Sequence, residues 1–305
     1  MQFTPRDLEI LELVARHRFL RSSHIVDLAK GSRQQVLRRL QVLYHHGYLE
    51  RPKAQLDYYH EGGSRPMVYG LGSRGAGRLR HDLDMPFHTM GWSAKNKGVG
   101  RVFLKHALII SDFMVLIEQA CRNTPGVRLL SSADLPPRPD RKHHREPFGW
   151  LVNLDASHRL GVIPDRVFGL AYTTEGGNEQ QAWYFLEADR ATMPVTRQGL
   201  DQSSVFRKLL AYERSWSQNL HRSKLGFERF RVLMVTSSTS RADHIRQACT
   251  RLKQGRGLFL FADVSSLTDV PDLLAHPWRS VRGMDTMLPQ PAFKAGSGGV
   301  IQSRT

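Results

Sequence analysis

The chain has 305 residues, enough for two domains that each bury a core. It carries 44 Lys and Arg against 28 Asp and Glu, a net charge of +16, spread as about +5 over residues 1–85, +5 over 86–150 and +6 over 151–305. This charge favours nucleic acid as the partner, ahead of an acidic membrane surface. Two cysteines exclude a disulfide framework. No long apolar run or signal-peptide pattern is present, which predicts a soluble cytoplasmic protein without membrane contact.

Three helices are predicted in the first 47 residues. The first begins at Pro5 behind the cap residue Thr4, and the second begins near Ser22. Ser32 caps the third, whose apolar residues recur at helical spacing until Gly47 ends it. Two short strands follow, at 48–53 and 67–71, with a polar turn between them. Three helices followed by a β-hairpin predict a winged helix-turn-helix domain.

A polar stripe follows the outer face of the third helix. In this class of domain that helix enters the major groove, where Arg pairs with guanine and Gln with adenine. The alternative is an ordinary solvated face. The predicted DNA-binding residues are Ser32, Arg33, Gln34, Arg38 and Gln41 on the helix, with Lys53 and Arg65 as hairpin contacts to phosphate.

Three glycines after the second strand match a dinucleotide-binding fingerprint. Gly70, Gly72 and Gly75 have the required spacing, but no βαβ continuation follows and no acidic residue lies about 20 positions on. We therefore interpret them as the exit from the hairpin into the next helix.

The remainder of the chain alternates helices and strands behind a Gly-rich basic linker at 86–101. A long helix follows the linker, and its apolar stripe from Phe103 to Cys121 is most simply a core face, with a short dimerising coil as the alternative. Strands are predicted at 127–130, 160–170, 182–188, 231–236 and 258–264, and helices at 204–220 and 240–253. This order predicts an α/β sheet with helices on its faces.

Acidic residues cluster at the end of two of these strands. Glu187 and Asp189 share one face at the carboxyl end of their strand, where α/β sheets generally bind ligands. In a suitable register Asp165 lies opposite Glu187, and two such carboxylates suit Mg²⁺. Lys208, on the following helix, would then stand near the ion. Asp165, Glu187, Asp189 and Lys208 are therefore the candidate catalytic residues, with Asp165 and Glu187 as candidate metal ligands.

The same residues also fit a structural ion network. In that interpretation Glu187 and Asp189 pair with nearby arginines, namely Arg166, Arg190 or Arg207. Together, Asp165, Glu187 and Lys208 outline the PD-(D/E)xK nuclease motif. The pattern departs from that motif at one position, because Asp189 stands where the motif has lysine. Pro164 places a kink or a sheet edge beside Asp165, since proline removes a ladder hydrogen bond.

Several segments of the chain resemble the replication-relaxation proteins of plasmids and integrative conjugative elements. The resemblance covers about residues 3–220 and is most specific in the stretch with Pro164, Asp165, Glu187 and Asp189. Its segments are Phe3–Leu11, Phe19–Ile25, Val68–Leu71, Arg74–Ala76, Val162–Phe168, Phe185–Met193, and Arg207–Lys208 with Tyr212. It implies a role beside the relaxase in replication, relaxation or transfer of mobile-element DNA, with a relaxosome or replication protein as partner. The second half is also similar to PD-(D/E)xK nucleases, in which Lys208 would replace the missing lysine.

The predicted fold is thus α/β with an N-terminal winged helix-turn-helix domain at 1–85. A basic linker occupies 86–101, a restriction-endonuclease-like mixed sheet flanked by helices occupies 102–283, and a disordered tail occupies 284–305. The favoured function is that of an accessory protein that binds double-stranded DNA. The alternatives are a Mg²⁺-dependent endonuclease and a winged-helix transcriptional regulator whose second domain dimerises or senses a signal.

Overall fold

The computed structural model describes residues 2–56, 65–83, 92–131, 134–135, 148–174, 176–268, 270 and 272–289. The chain divides into two compact units, Met1–Gln119 and Ala120–Thr305. The described residues form ten α-helices and twelve strands, a mixed α/β protein. None of the helices in these ranges has the length and apolarity needed to cross a lipid bilayer.

The N-terminal unit combines helices with a small antiparallel sheet of strand order β1-β3-β2. Its core contains Ile10, Ile25, Val36 and Leu40, all fully buried. The elements are α1 (Pro5–His17), β1 (Phe19–Arg21), α2 (Ser22–Leu28), α3 (Arg33–His45), β2 (Leu49–Glu50), β3 (Val68–Leu71), α4 (Ser73–Leu83), α5 (Trp92–Lys97) and α6 (Arg101–Asn123), the last of which runs past the boundary at Gln119.

The predicted helix boundaries are set by local capping. Asp7 accepts hydrogen bonds from the backbone N–H and the hydroxyl of Thr4, at 2.7 and 2.8 Å, and so fixes the start of α1. The hydroxyl of Ser32 accepts the N–H of Gln35 at the start of α3. Gly47 follows α3 at φ +72°, a conformation that favours glycine. These three helix-terminus predictions are confirmed.

The glycine motif has a packing role. A Cβ on Gly72 would lie 2.3 Å from the carbonyl oxygen of Gly47, and one on Gly75 would lie 2.2 Å from that of Tyr48. Only glycine allows the start of α4 to approach the end of α3 this closely. The strand before the motif pairs antiparallel on both sides, so the motif belongs to no βαβ unit.

The C-terminal unit is built on a seven-stranded mixed sheet of order β12-β11-β10-β9-β8-β7-β4. Neighbours β8, β9 and β10 are parallel, and the remaining pairs are antiparallel. Leu209 and Tyr212 of α7 and Ile245 of α9 pack with Phe185 and Val232 in the core. The elements are β4 (Val127–Leu130), β5 (Trp150–Asn153), β6 (Arg159–Val162), β7 (Arg166–Thr173), β8 (Glu179–Asp189), α7 (Val205–Ser217), α8 (Leu220–Ser223), β9 (Phe230–Thr236), α9 (Thr239–Cys249), β10 (Phe259–Asp263), α10 (Val264–Thr268), β11 (Trp278–Ser280) and β12 (Asp285–Thr286).

The predicted single strand at 160–170 is wrong. It is two strands, because β6 ends at Val162 and pairs with β5 in a separate hairpin, whereas β7 begins at Arg166 and pairs with β4 and β8. Pro164 lies between them. Proline donates no ladder hydrogen bond, so the chain leaves one sheet before it and joins the other after it.

The regions predicted as a linker, 86–101, and as a disordered tail, 284–305, each contain regular secondary structure. The segment predicted as a linker contains α5, and Asp285–Thr286 pairs with β11 at the edge of the large sheet. Residues 86–91 and 290–305 lie outside the described part of the chain. The proposed domain boundaries stay a prediction. In α6, Ala107, Met114, Ile117 and Cys121 are buried, as a core face would be, whereas Phe103 at the start of the predicted stripe is exposed. Dimerisation through this helix stays a prediction.

Candidate functional site

The outer face of α3 is polar, basic and exposed. Its sequence contains three arginines and no acidic residue, and the inward positions are taken by buried apolar side chains. The predicted reading residues Arg33, Gln34, Arg38 and Gln41 are all exposed. The spacing of one, four and three residues places them along one side of the helix.

Two neighbouring arginines of α3 differ sharply. Arg39 binds Asp7, whose side chain is fully buried, with 2.7 Å between Arg39 Nε and Asp7 Oδ1. Arg38 is exposed and, like Arg33, makes no hydrogen bond or ion pair within the described part of the chain. The fold therefore uses Arg39 and leaves the charges of Arg33 and Arg38 available to a partner.

The other predicted contact residues are exposed as well. Ser32 is exposed, but its hydroxyl caps α3. Lys53 and Arg65 are exposed on either side of residues 57–64, which lie outside the described residues. Arg51, which the sequence analysis did not single out, stacks 4.1 Å from the ring centroid of Tyr44 and hydrogen-bonds the hydroxyl of Tyr69. It thereby joins the end of α3 to β3.

The acidic residues of the second unit meet near the carboxyl end of β8. Arg166 pairs with Leu186, so extending this antiparallel register by one residue puts Asp165 opposite Glu187, as predicted. Asp165 is anchored there, because its N–H donates to the carbonyl of Leu186 and its Oδ2 accepts the N–H of Ala188 at 2.8 Å.

Glu187 is buried, with 2 % of its surface exposed, and both of its oxygens have partners. The hydroxyl of Tyr212 donates to Oε1 and the ammonium of Lys208 donates to Oε2. Burial raises the pKa of Glu187 to about 7, although the charge of Lys208 opposes this. For Lys208, burial would lower the pKa, but the charges of Glu187, Asp165 and Asp189 outweigh it and raise the pKa.

Asp189 is paired with a residue that the sequence analysis missed. Arg241, in the first turn of α9, binds it in a two-pronged fashion, with Nε 2.7 Å from Oδ2 and Nη2 3.1 Å from Oδ1. The N–H of Ala191 also donates to Oδ2. The position that carries lysine in the nuclease motif is thus an acid that ties the sheet to α9.

This donor set does not fit a magnesium ion. Mg²⁺ takes oxygen ligands in a near-octahedral shell, whereas both oxygens of Glu187 already accept hydrogen bonds and the Lys208 ammonium stands at one of them. Across the described ranges, no group of three or more His, Cys, Asp or Glu side chains is arranged to hold a metal ion. The arrangement is a charge-paired network between the sheet and helices α7 and α9.

Comparison with known proteins identifies one family. A family model described as replication-relaxation matches residues 11–228, more than two thirds of the chain, including α3, β7, β8 and α7. No curated protein and no solved structure shows significant similarity. With so much of its length matched by that family model, the chain belongs to the replication-relaxation family.

Proposed function

We propose that the protein is a double-stranded-DNA-binding accessory factor in the replication, relaxation or transfer of a mobile element. Its family membership supports a role in replication or relaxation. In this proposal the N-terminal unit is a winged helix-turn-helix in which β2 and β3 form the wing. The second unit has a nuclease-like fold and grips DNA or a partner such as a relaxosome or replication protein.

One observation carries the proposal. The exposed face of α3 presents Arg33, Gln34, Arg38 and Gln41, and none of these side chains has a partner among the described residues. Arg and Gln are the side chains that pair with guanine and adenine edges in the major groove. A helix face that only kept the protein soluble would be expected to carry a mixture of acidic and basic side chains. This face instead presents Arg and Gln and no acidic residue.

The test replaces Arg38 by alanine. If Arg38 reads a guanine, we expect specific binding to weaken by about 1–3 kcal/mol and the preference at one base position to relax. The target duplex is first selected from a random-sequence pool, and affinities for it and for single-base variants are then measured by fluorescence anisotropy.

Arg80→Ala is the matched control, because Arg80 is an exposed, unpaired arginine on α4 within the described part of the same unit. It should leave base preference unchanged. Unchanged affinity and base preference in Arg38→Ala would remove Arg38 as the reader.

A second candidate, a metal-dependent endonuclease, is favoured by the meeting of Lys208 and Glu187 with Asp165 and Asp189 nearby. The paired state of Glu187 and Asp189 argues against it.

Supercoiled and linear DNA are incubated with Mg²⁺ or Mn²⁺ to test this second candidate. We expect the DNA to stay intact while gel shifts persist. Metal-dependent nicking that is lost in both Asp165→Ala and Glu187→Ala, but kept in the exposed control Asp201→Ala, would establish the nuclease instead.

A further inference from the structure

A loop in the C-terminal unit connects β8 to α7. Residues 196–203 all lie in the described part of the chain and form neither helix nor strand. Hydrogen bonds close the base of this loop, because the carbonyls of Pro194 and Val195 accept the N–H groups of Val205 and Phe206, at 3.1 and 2.8 Å. The position of the residues beyond that base depends on what their side chains contact.

Asp201 makes the contact that holds the loop. Its Oδ1 lies 3.0 Å from Nε2 of His158, in the turn between β5 and β6. No other residue of 196–203 makes a hydrogen bond or ion pair within the part of the chain that the structure describes. Apart from its base, the loop is therefore attached to the unit through this imidazole.

His158 also has a partner in its own turn. Its Nδ1 lies 2.8 Å from Oδ1 of Asp155, an oxygen that also accepts the N–H of Ser157. In the described ranges the charged groups that act on the imidazole are Asp155 and Asp201. Hydrogen bonds to Asp155 and then to Asp201 raise the pKa of His158 above its ordinary 6.5.

An imidazole holds two carboxylates only while it is protonated. The imidazolium has two N–H donors, one for each neighbour, whereas the neutral ring has one donor and one lone pair. Asp155 keeps the remaining donor, because the backbone N–H groups of Ser157 and His158 hold its carboxylate in place. The lone pair then faces Asp201 and repels its charge.

We propose that His158 is a pH-sensitive latch, which holds the 196–203 loop against the β5–β6 turn when protonated and releases it when neutral. Because the pKa is raised in the folded protein, the latch is closed at pH 6.5 and opens as the pH rises through the higher folded value. Release frees the segment that carries Arg197, which is exposed and unpaired among the described residues. This device is independent of the proposed function.

A spin label at Gln198→Cys tests the latch in the full chain. Gln198 is exposed, and the native Cys121 and Cys249 are buried, so the label is confined to the loop. Electron paramagnetic resonance spectra are recorded between about pH 5.5 and 8.5. We expect the ratio of mobile to immobile label to rise about two- to fivefold, the effect of one exposed charge pair. Its midpoint should coincide with the pKa of His158 measured by NMR on the same protein.

Asp201→Asn separates the latch from other effects of pH, since it removes the charge of the loop and keeps the shape of the side chain. In this variant the label should be mobile at every pH and the pKa of His158 should fall. Glu228→Gln is the control, because Glu228 is an exposed acid paired with Arg222, and it should leave both measurements unchanged. Label mobility that does not change with pH in the otherwise wild-type chain, or that keeps its pH dependence in Asp201→Asn, would overturn the proposal.

Discussion

Replacing Arg39 by alanine is expected to lower the free energy of unfolding of the N-terminal unit by about 3–5 kcal/mol. Asp7 is fully buried, and Arg39 is the cation that binds both of its oxygens. Removing one partner of a buried pair leaves an uncompensated charge, which costs more than the pair contributes. The loss should extend to both α1 and α3, because Asp7 also holds the cap residue Thr4.

Hydrogen–deuterium exchange localises this effect. Peptides from α1 and α3 should exchange faster in Arg39→Ala, and urea unfolding followed by circular dichroism gives the free energy. Arg38→Ala, one residue away, should change stability by no more than about 0.5 kcal/mol because Arg38 is exposed and unpaired among the described residues. Adding Asp7→Asn to Arg39→Ala should recover part of the loss. A change below about 0.5 kcal/mol in Arg39→Ala would contradict the buried pair.

The stability of the C-terminal unit is expected to fall between about pH 5 and pH 8 because of Glu187. Its pKa is about 7 in the folded protein and near the ordinary 4.5 in the unfolded chain. Between these values the folded state holds more protons on Glu187, so the contribution of this residue to stability is fully present below pH 4.5 and is lost as the pH rises through 7. The decline attributable to Glu187 should be about 2–3 kcal/mol. Lys208 adds no slope, since its raised pKa keeps it charged in both states.

Glu187→Gln isolates this contribution, because it removes the titrating group and keeps the shape. Urea unfolding at several pH values is followed by tryptophan emission, to which Trp150, Trp183, Trp216 and Trp278 of the C-terminal unit contribute. Glu228→Gln is the control, since Glu228 is exposed. If Glu187→Gln retains the wild-type decline, the pH dependence has another origin.

Local patterns predicted the longer elements of this fold well. Helices α3, α6, α7 and α9 were anticipated because apolar spacing and capping residues act within a few positions. Strands of two to four residues, such as β1, β5, β11 and β12, were missed because they are too short to show alternation and depend on partners distant in sequence. Pro164 signalled the break before β7, although the two flanking segments were predicted as one strand.

The candidate sites were predictable to a similar extent. Strand alternation put Glu187 and Asp189 on one face, and Lys208, the helix partner of Glu187, was expected close by. Arg241 lies 52 residues from Asp189. Its pairing follows from the parallel crossover that brings the first turn of α9 to the carboxyl end of β8, which no local pattern reveals. Ser238, a cap residue two positions after the end of β9, was the available signal for the start of that helix.

The contrast between Arg38 and Arg39 has a consequence for which substitutions on α3 the fold tolerates. Arg33, Gln34, Arg38 and Gln41 make no hydrogen bond or ion pair in the described structure, while Val36, Leu40 and Arg39 hold α3 in place, so we expect substitutions at these four exposed positions to be nearly neutral for folding. Under the proposed function, DNA-target preference and the stability of the fold are then determined by different residues of the same helix. If α3 reads DNA as proposed, a randomised library at those four positions would sample new DNA targets on an unchanged scaffold, and a mobile element could acquire a new cognate sequence in few mutational steps.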